Sequence, residues 1–348
     1  MIKVNKKTIS RDHSPFIIAE ISGNHKGSLS RALKIIDEAK KAGASAVKLQ
    51  TFELDEITLN SKSKFFKIVD KNSPWNGRYL HDLYKEAITP KKWHKKIFSY
   101  AKKKNILCFS SVFDLKSLKF LESLNCPIYK IASFENNHYP LIDAVSKTGK
   151  PVIISTGMSD LKQIKEIVKI FKKNRNRNFA FLKCTSSYPA DARSSNLKSI
   201  ELLRKELKCE IGLSDHTLGI GAAVASISFG SSIIEKHIVL KKNDGSIDKD
   251  FSLTPTEFKS LVTEANLAWQ ALGKRNLNLH SSERKNSRLK RSIFVSKDLK
   301  AGQKISEDYI KIVRPNHGVQ PKYYNLVLRK RAKKIIKKGT PLKFNLLK

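Results

Sequence analysis

EIGLSDHTLGIGAAVASISFGSSIIEKHI, residues 210–238, holds two short apolar runs joined by a stretch of small residues. EIGLSD from Glu210 and SIIEKHI from Ser232 are short enough for strands, and the segment between them is long enough for a crossover helix. That combination predicts two parallel strands of one sheet. Polar residues gather at the C-terminal side of each run: Ser214, Asp215 and His216 in the first, Glu235 and His237 in the second.

Outward from this segment the unit recurs. FIIAEIS from Phe16, AVKLQT from Ala46, ILCFSS from Ile106, IYKIAS from Ile128, PVIIST from Pro151 and FAFLKC from Phe179 complete a set of eight runs. Amphipathic stretches such as SLSRALKIIDEAKKAG and SDLKQIKEIVKIFKK follow them. Eight alternating units predict an α/β fold that closes as a (β/α)8 barrel. One connection is irregular: Phe52 to Ile88 contains SPWNGRYLHDLYKEA, and a long connection inside a compact domain is usually functional. The last barrel helix spans about Pro255 to Leu272, and NLNLHSSERKNSR after it reads as a polar linker. RSIFVSKDLKAGQKISEDYIKIVRP and RAKKIIKKGTPLKF then predict a small, mostly β module, its runs broken by AG and KG turns. The expected division is a barrel over 1–273, a linker over 274–288 and the small module over 289–348. Such a module buries little apolar surface alone, so it is expected to dock on something.

A formal charge of +37 raises nucleic-acid binding as a function class, because basic surface releases counterions on a phosphate backbone. The distribution argues against it. Lysine is spread over nearly every predicted helix and loop, without interleaved stacking aromatics, and KKNRNRN from Lys172 reads as a solvated connection between a helix and a strand. Steering of an anionic substrate is the side effect expected of such charge. No stretch approaches the roughly 20 uncharged apolar residues of a membrane span, and MIKVNKKTISRDHS lacks the apolar run of a signal peptide. A cytoplasmic protein that binds neither membrane nor nucleic acid is expected. Cys108, Cys126, Cys184 and Cys209 have no CxxC spacing, which predicts reduced, mostly buried thiols.

In a barrel of this kind the chemistry sits at the C-terminal ends of the strands. Those positions are unusually polar. Glu20 ends the first run, Lys48 and Gln50 the second, Ser110 and Ser111 the third, Lys130 and Ser133 the fourth, Ser155 and Thr156 the fifth, Cys184 and Thr185 the sixth. The period of two puts Lys48 with Gln50 on one face, and Glu235 with His237. Two converging lysines with several hydroxyls predict a site for a compact phosphate-carboxylate. His216 and His237 end neighbouring strands, whose spacing brings two imidazoles within reach of one ion. Two histidines with water and substrate oxygen at the other positions suit Mn²⁺, Fe²⁺, Co²⁺ or Zn²⁺ rather than Ca²⁺. A hydrogen-bonded pair of core histidines fits the same spacing.

At these residues the sequence resembles the sialic acid synthase family, most closely its pseudaminic acid synthase branch, over nearly the whole chain. The motifs are AEISGNHKGS from Ala19, KLQT from Lys48, FSSVFD from Phe109, YKIASFEN from Tyr129, ISTGM from Ile154, KCTSSYPA from Lys183, GLSDHTLG from Gly212, EKH from Glu235 and DKDFSL from Asp248. From about Leu289 the tail resembles the antifreeze-like SAF domain. The resemblance implies a TIM barrel followed by a SAF domain, and a divalent metal, Mn²⁺ foremost with Mg²⁺ or Co²⁺ as alternatives. It also implies a homodimer in which each tail covers the partner's active site. The implied reaction condenses phosphoenolpyruvate with an acetamido sugar, 2,4-diacetamido-2,4,6-trideoxy-L-altrose, giving pseudaminic acid and phosphate. N-acetylneuraminate or legionaminate synthesis is the alternative within the family. Outside it stands a basic nucleic-acid-binding protein on a degenerate barrel, against which the retained strand-end polar set argues.

The resemblance also assigns residues. His216 and His237 would hold the metal. Lys48, Lys130, Ser133, Ser155, Ser186 and Ser214 would line the phosphoenolpyruvate site, beside Gln50, Ser111 and Thr156 at the neighbouring strand ends. Glu20, Glu135, Tyr188 and Asp248 match acid, base or sugar-contacting positions. In the reaction so implied Glu20 is the first candidate to activate water, with a metal-bound water as the alternative. Apart from the resemblance, Asp215 is expected only to support His216, as neighbours of metal-binding histidines commonly do. Arg314, in VRPNHG, matches an arginine that reaches the other subunit's sugar. Two departures stand out: RPNHG replaces the family's usual RPGxG, and Ser186 stands where sialic acid synthases carry Asn. The branch rests on WxGxxLxxLYxxA from Trp75 to Ala87, on Cys-Phe-Ser-Ser ending the third strand and on Phe134 within KIASFE, where sialic acid synthases resemble KIGSGE. A bulky Phe134 is expected to suit an acceptor with a methyl where N-acetylmannosamine has a hydroxymethyl.

Overall fold

Each of the eight apolar runs is a strand in the structure, a computed structural model that describes residues 1–4, 7–71, 73–274 and 276–348. A hairpin of β1 (Ile2–Val4) and β2 (Lys7–Ile9) precedes them. The eight are β3 (Phe16–Glu20), β4 (Ala46–Thr51), β5 (Leu107–Val112), β6 (Tyr129–Ile131), β7 (Val152–Ser155), β8 (Phe179–Cys184), β9 (Glu210–Asp215) and β10 (Ile233–His237). They pair in parallel in sequence order, and β10 returns to β3, closing a barrel. A closed sheet has no edge left unpaired.

The register explains why the polar strand ends converge. Glu20 pairs with Lys48, Gln50 with Ser111, Ser111 with Lys130, Cys184 with Ser214, Ser214 with Glu235, and His237 with Glu20. Residues level with one another on parallel neighbours point to the same side of the sheet. A ring of polar side chains therefore lines the barrel interior at one end. The alternate residues face the helices: Ile17, Ala19, Val47 and Ile234 pack with Ile35 and Ile36 of the helix Leu29–Lys41 and with Phe258 and Leu261 of the helix Pro255–Ala271. Full burial of each of the Ile, Val, Leu and Phe side chains stabilises by roughly 1.5–3 kcal/mol. Helix starts are written locally. Thr254 and Glu257 form a capping box before Pro255, and Asp160 and Gln163 form another before the helix Leu161–Lys173.

The N-terminal hairpin was outside the sequence expectation, because three-residue strands are too short to display a period. Its Ile2, Val4 and Ile9 are buried in the same core cluster as Phe16 and Ile233. The long connection after β4 holds a short helix, Leu54–Ile57, a bridge between Lys67 and Tyr79, and the helix Leu80–Ala87.

The chain divides into two compact units, Met1–Gly273 and Lys274–Lys348. In the second, part of the expected linker is a helical turn, Ser281–Arg284, and position 275 lies outside the described residues. β11 (Ser292–Val295) and β12 (Ile310–Val313) pair antiparallel. Bridges Leu299–Ile336 and Lys304–Arg331 extend the β character, around a core that includes Ile293, Val295, Ile305 and Leu342. All four cysteines are free thiols, three of them buried and Cys209 half-buried. Among the described residues no helix is long and apolar enough to cross a membrane.

Candidate active site

Two lysines lie inside the barrel, Lys48 on β4 and Lys130 on β6, both almost inaccessible. Nζ of Lys48 donates to Ser111 Oγ at 2.9 Å, is ion-paired with Glu20 and lies 3.7 Å from Glu235 Oε2. Nζ of Lys130 donates to Ser155 Oγ at 2.6 Å and to the Ile131 carbonyl at 3.1 Å, and lies 4.0 Å from Glu235 Oε1. Glu235 also accepts from Ser214 Oγ at 3.1 Å. Glu20 Oε1 accepts from the Ser22 N–H at 3.0 Å and from Gln50 Nε2 at 3.1 Å, while its Oε2 contacts Lys48 without a directed hydrogen bond. Removing charges from water costs several kcal/mol each, so the two cations and two carboxylates hold one another in place.

The two lysines are not equivalent. Burial works against the Lys48 ammonium, but Glu20 and Glu235 outweigh it and raise its pKa. At Lys130 burial prevails, the repulsion of Lys48 adds to it, and the pKa falls despite Glu235. Lys130 is thus the less compensated cation and gains more from an incoming anion. Glu235, central to this network, was missing from the expected site residues. Its signals in the sequence are its place at a polar strand end, on one face with His237, and its position at the head of the EKH motif.

Hydroxyl donors crowd the next corner. The Gly157 N–H donates to Ser133 Oγ at 3.1 Å, and Asn136 Nδ2 donates to the Gly157 carbonyl at 2.9 Å. A Cβ at position 157 would lie 2.6 Å from Ser133 Oγ and 2.1 Å from Ser186 Oγ, so only glycine lets Ser133 and Ser186 close around the turn that follows Ser155 and Thr156. Cys184 Sγ lies 3.8 Å from Ser186 Oγ and 4.0 Å from His216 Nδ1. Burial opposes ionisation of this thiol, yet His216 and Lys130 bring its pKa down to about 7.

The imidazoles of His216 and His237 stand 5.4 Å apart, centre to centre, at an interplanar angle of 56°. His216 Nδ1 lies 3.2 Å from the Thr185 carbonyl, which holds the proton on that nitrogen and leaves Nε2 with its lone pair. His237 Nδ1 is buried without a hydrogen-bond partner, 3.6 Å from Asp248 Oδ2. Tyr188 packs on His216 at 4.4 Å and Phe251 on His237 at 4.9 Å, fixing both rings. Two ordered imidazoles, one with an orphaned nitrogen, fit a borderline divalent cation. Among the described residues no group of three or more His, Cys, Asp and Glu side chains completes a metal cluster. Asp215 does not support His216. It accepts from Lys236 Nζ at 2.6 Å and from the Thr217 N–H at 2.9 Å. Strand alternation turns Asp215 and Lys236 to the face opposite Ser214 and Glu235, however close to His216 it stands in sequence.

A cavity of about 440 Å³ opens on this set, lined among others by Gln50, Glu135, Ser186, Tyr188, His237 and Asp248. Phe134, 57% exposed, lines it too and stacks on Tyr188 with ring centres 6.5 Å apart. Glu135 is the unusual carboxyl. Its Oε2 is buried without a hydrogen-bond partner, and burial raises its pKa to about 7, against the pull of Lys130. A carboxyl that titrates near neutrality is suited to proton transfer. Glu135→Gln is expected to lower kcat/KM by about 10²–10⁴-fold and to remove the rise in rate as pH passes through about 7. A pH–rate profile of the variant checks this, and an unaltered limb would refute it. Arg314 is exposed just after β12, in the second unit. Every other expected residue belongs to the barrel unit.

Two family models match the chain: the NeuB family over residues 35–276 and the SAF domain over residues 290–348. The chain is 45% identical over 332 residues to a pseudaminic acid synthase of Campylobacter jejuni, covering 95% of this chain and 96% of that protein. To a pseudaminic acid synthase of Helicobacter pylori it is 38% identical over 329 residues, with 94% and 96% covered. The crystal structure of N-acetylneuraminic acid (sialic acid) synthetase from Leptospira borgpetersenii in complex with citrate matches with a TM-score of 0.73 and 33% identity, over 82% of this chain and 94% of that one.

Proposed function

The chain belongs to the NeuB family and carries a C-terminal SAF domain, and from this premise we propose that it condenses phosphoenolpyruvate with 2,4-diacetamido-2,4,6-trideoxy-L-altrose to give pseudaminic acid and phosphate. The likeness to pseudaminic acid synthases over nearly the whole chain carries the reading. The geometry supports it: two buried lysines, a cluster of hydroxyls and two imidazoles converge at one end of a closed barrel.

Lys130, the less compensated cation, takes the phosphate-carboxylate together with Lys48, and the hydroxyls of Ser111, Ser133, Ser155, Ser186 and Ser214 are the donors for its oxygens. The methylene carbon of phosphoenolpyruvate forms a bond to the aldehyde carbon of the ring-opened sugar, whose oxygen gains a proton, and the neighbouring phosphate-bearing carbon is left as an oxocarbenium. Water adds to that phosphate-bearing carbon, and its C–O bond to phosphate then breaks, leaving the keto group and free phosphate. A divalent cation held by His216 and His237, Mn²⁺ foremost and Mg²⁺ or Co²⁺ otherwise, supplies Lewis-acid polarisation of the aldehyde when bound. Glu135 takes the proton from the attacking water, a role expected of Glu20, because both Glu20 oxygens are already engaged by Lys48, Gln50 and the Ser22 N–H. Glu20 instead holds Lys48 in position. Asp248 orients His237, and Tyr188 with Phe134 lines the acceptor's side of the cavity. The proposal includes a homodimer in which each SAF domain covers the partner's site and Arg314 reaches the partner's sugar.

Phe134→Gly is expected to lower the preference for a methyl-terminated acceptor over N-acetylmannosamine, because it removes the ring that takes the place of the hydroxymethyl. Unchanged discrimination would sink the idea. The reaction itself is tested by phosphate release and product mass with Mn²⁺ and phosphoenolpyruvate, in parallel with the L-altrose-type diacetamido sugar, the D-mannose-type diacetamido sugar and N-acetylmannosamine. Turnover of the first is expected. Turnover of only the second or third would make the chain a legionaminate or N-acetylneuraminate synthase.

A further inference from the structure

The connection between β4 and the helix Lys91–Lys103 brings large apolar side chains to the catalytic cavity. Ile68, Trp75, Leu80 and Leu83 all line it. The Trp75 ring lies 5.6 Å from that of Tyr188 and 6.3 Å from that of Phe251, and its Nε1 donates to the Ile247 carbonyl at 3.3 Å. Its one polar group is therefore spent, and what it offers a ligand is carbon. The segment is braced rather than loose. The Ile68 N–H donates to the Arg78 carbonyl at 2.9 Å, the Gly77 N–H donates to the Ile68 carbonyl at 2.8 Å, and Arg78 pairs with Glu86 at 2.6 Å. Asp70 and Ser73 are the polar residues that this segment adds to the lining.

Apolar surface facing a water-filled cavity is unfavourable by about 25 cal/mol for each Å² left wet, and a built apolar wall beside polar chemistry marks where a ligand's own apolar groups lie. We propose that this wall, Ile68, Trp75, Leu80 and Leu83, acts beside Phe134 in selecting the acceptor by class, reading the methyl of a 6-deoxy end and of the acetamido groups. The inference rests on the proposed reaction and deepens it. A methyl against the wall leaves water and loses nothing. A hydroxymethyl in the same place gives up hydrogen bonds to water that carbon cannot return. The wall separates diacetamido trideoxy sugars from hydroxylated mono-acetamido ones, and leaves the choice among stereoisomers to polar contacts elsewhere.

An apolar pocket rejects an added hydroxyl by about 10²-fold at most, which sets the scale of the test. In the full-length, Mn²⁺-loaded enzyme, kcat/KM is measured for the L-altrose-type diacetamido sugar and for N-acetylmannosamine, with the KM for phosphoenolpyruvate as a control. Trp75→Ala and, independently, Ile68→Ser are expected to reduce the ratio of the two by about tenfold, leaving the phosphoenolpyruvate KM unchanged, while Trp75→Phe keeps the ratio. An equal loss on both acceptors, or an unchanged ratio in both variants, overturns the inference and leaves the reaction standing. No turnover of either acceptor by the parent enzyme overturns both.

Discussion

His237→Ala abolishes Mn²⁺ binding and lowers turnover at least a thousandfold; that is the expected result of removing one of two imidazoles that stand 5.4 Å apart with their orientations fixed by Tyr188 and Phe251. Polarisation of a carbonyl by a bound cation contributes several kcal/mol to the barrier, and each 1.36 kcal/mol is about tenfold in rate. The companion variant Asp248→Asn leaves both imidazoles in place and weakens the group beside His237, so its cost is about 10–100-fold. Calorimetric titration with Mn²⁺, beside turnover, separates the outcomes. If His237→Ala bound Mn²⁺ and turned over like the parent, the histidines would be a packed core pair and the Lewis-acid role would fall.

Lys48→Met has the largest effect expected on stability. The substitution keeps much of the volume but strips the cation from between Glu20 and Glu235, both buried, and breaking such a pair costs about 3–5 kcal/mol because a buried charge is left uncompensated. The sign of the pH dependence follows from the direction of each shift. The folded-state pKa of Lys48 is raised, so its contribution is complete at all pH values below the ordinary lysine range and is lost only as pH rises through the folded value. Glu235 is held below the ordinary carboxylate range by Lys130 and Lys48 against burial, so its share is present above that range and lost on acidification. In Lys48→Met the Glu235 carboxylate loses part of that pull and is relieved by protonation. The urea-unfolding gap between parent and variant should therefore narrow from pH 8 to pH 5. Restoring part of the loss with Glu235→Gln in the same chain would confirm which charge is stranded. A gap that is flat with pH would show that the cost is one of packing.

The eight strands were legible because each is a local run of apolar residues, and because alternation within a run decides which residues face inward whatever lies around it. Lys48 with Gln50, and Glu235 with His237, could be placed together on that ground alone. The family motifs, spread through the chain in order, named most of the site residues. Adjacency in sequence misled at Asp215, where alternation turns the side chain away from His216 toward Lys236. It was also silent at Glu20, whose oxygens are taken by residues from β4 and from its own following turn.

What the sequence determined by itself was the periodic pattern: eight βα units, a polar residue at the end of each strand, and a second, smaller unit after residue 273. Only the tertiary structure decided that Glu235 lies between two lysines, that burial lifts the Glu135 carboxyl to about 7, and that the connection after β4 lines the cavity with carbon. Each of these depends on distances between side chains from separate strands and on how much water they exclude together. Electrostatic energy and desolvation are set by that three-dimensional environment, whereas strand and helix patterns are set by neighbours along the chain.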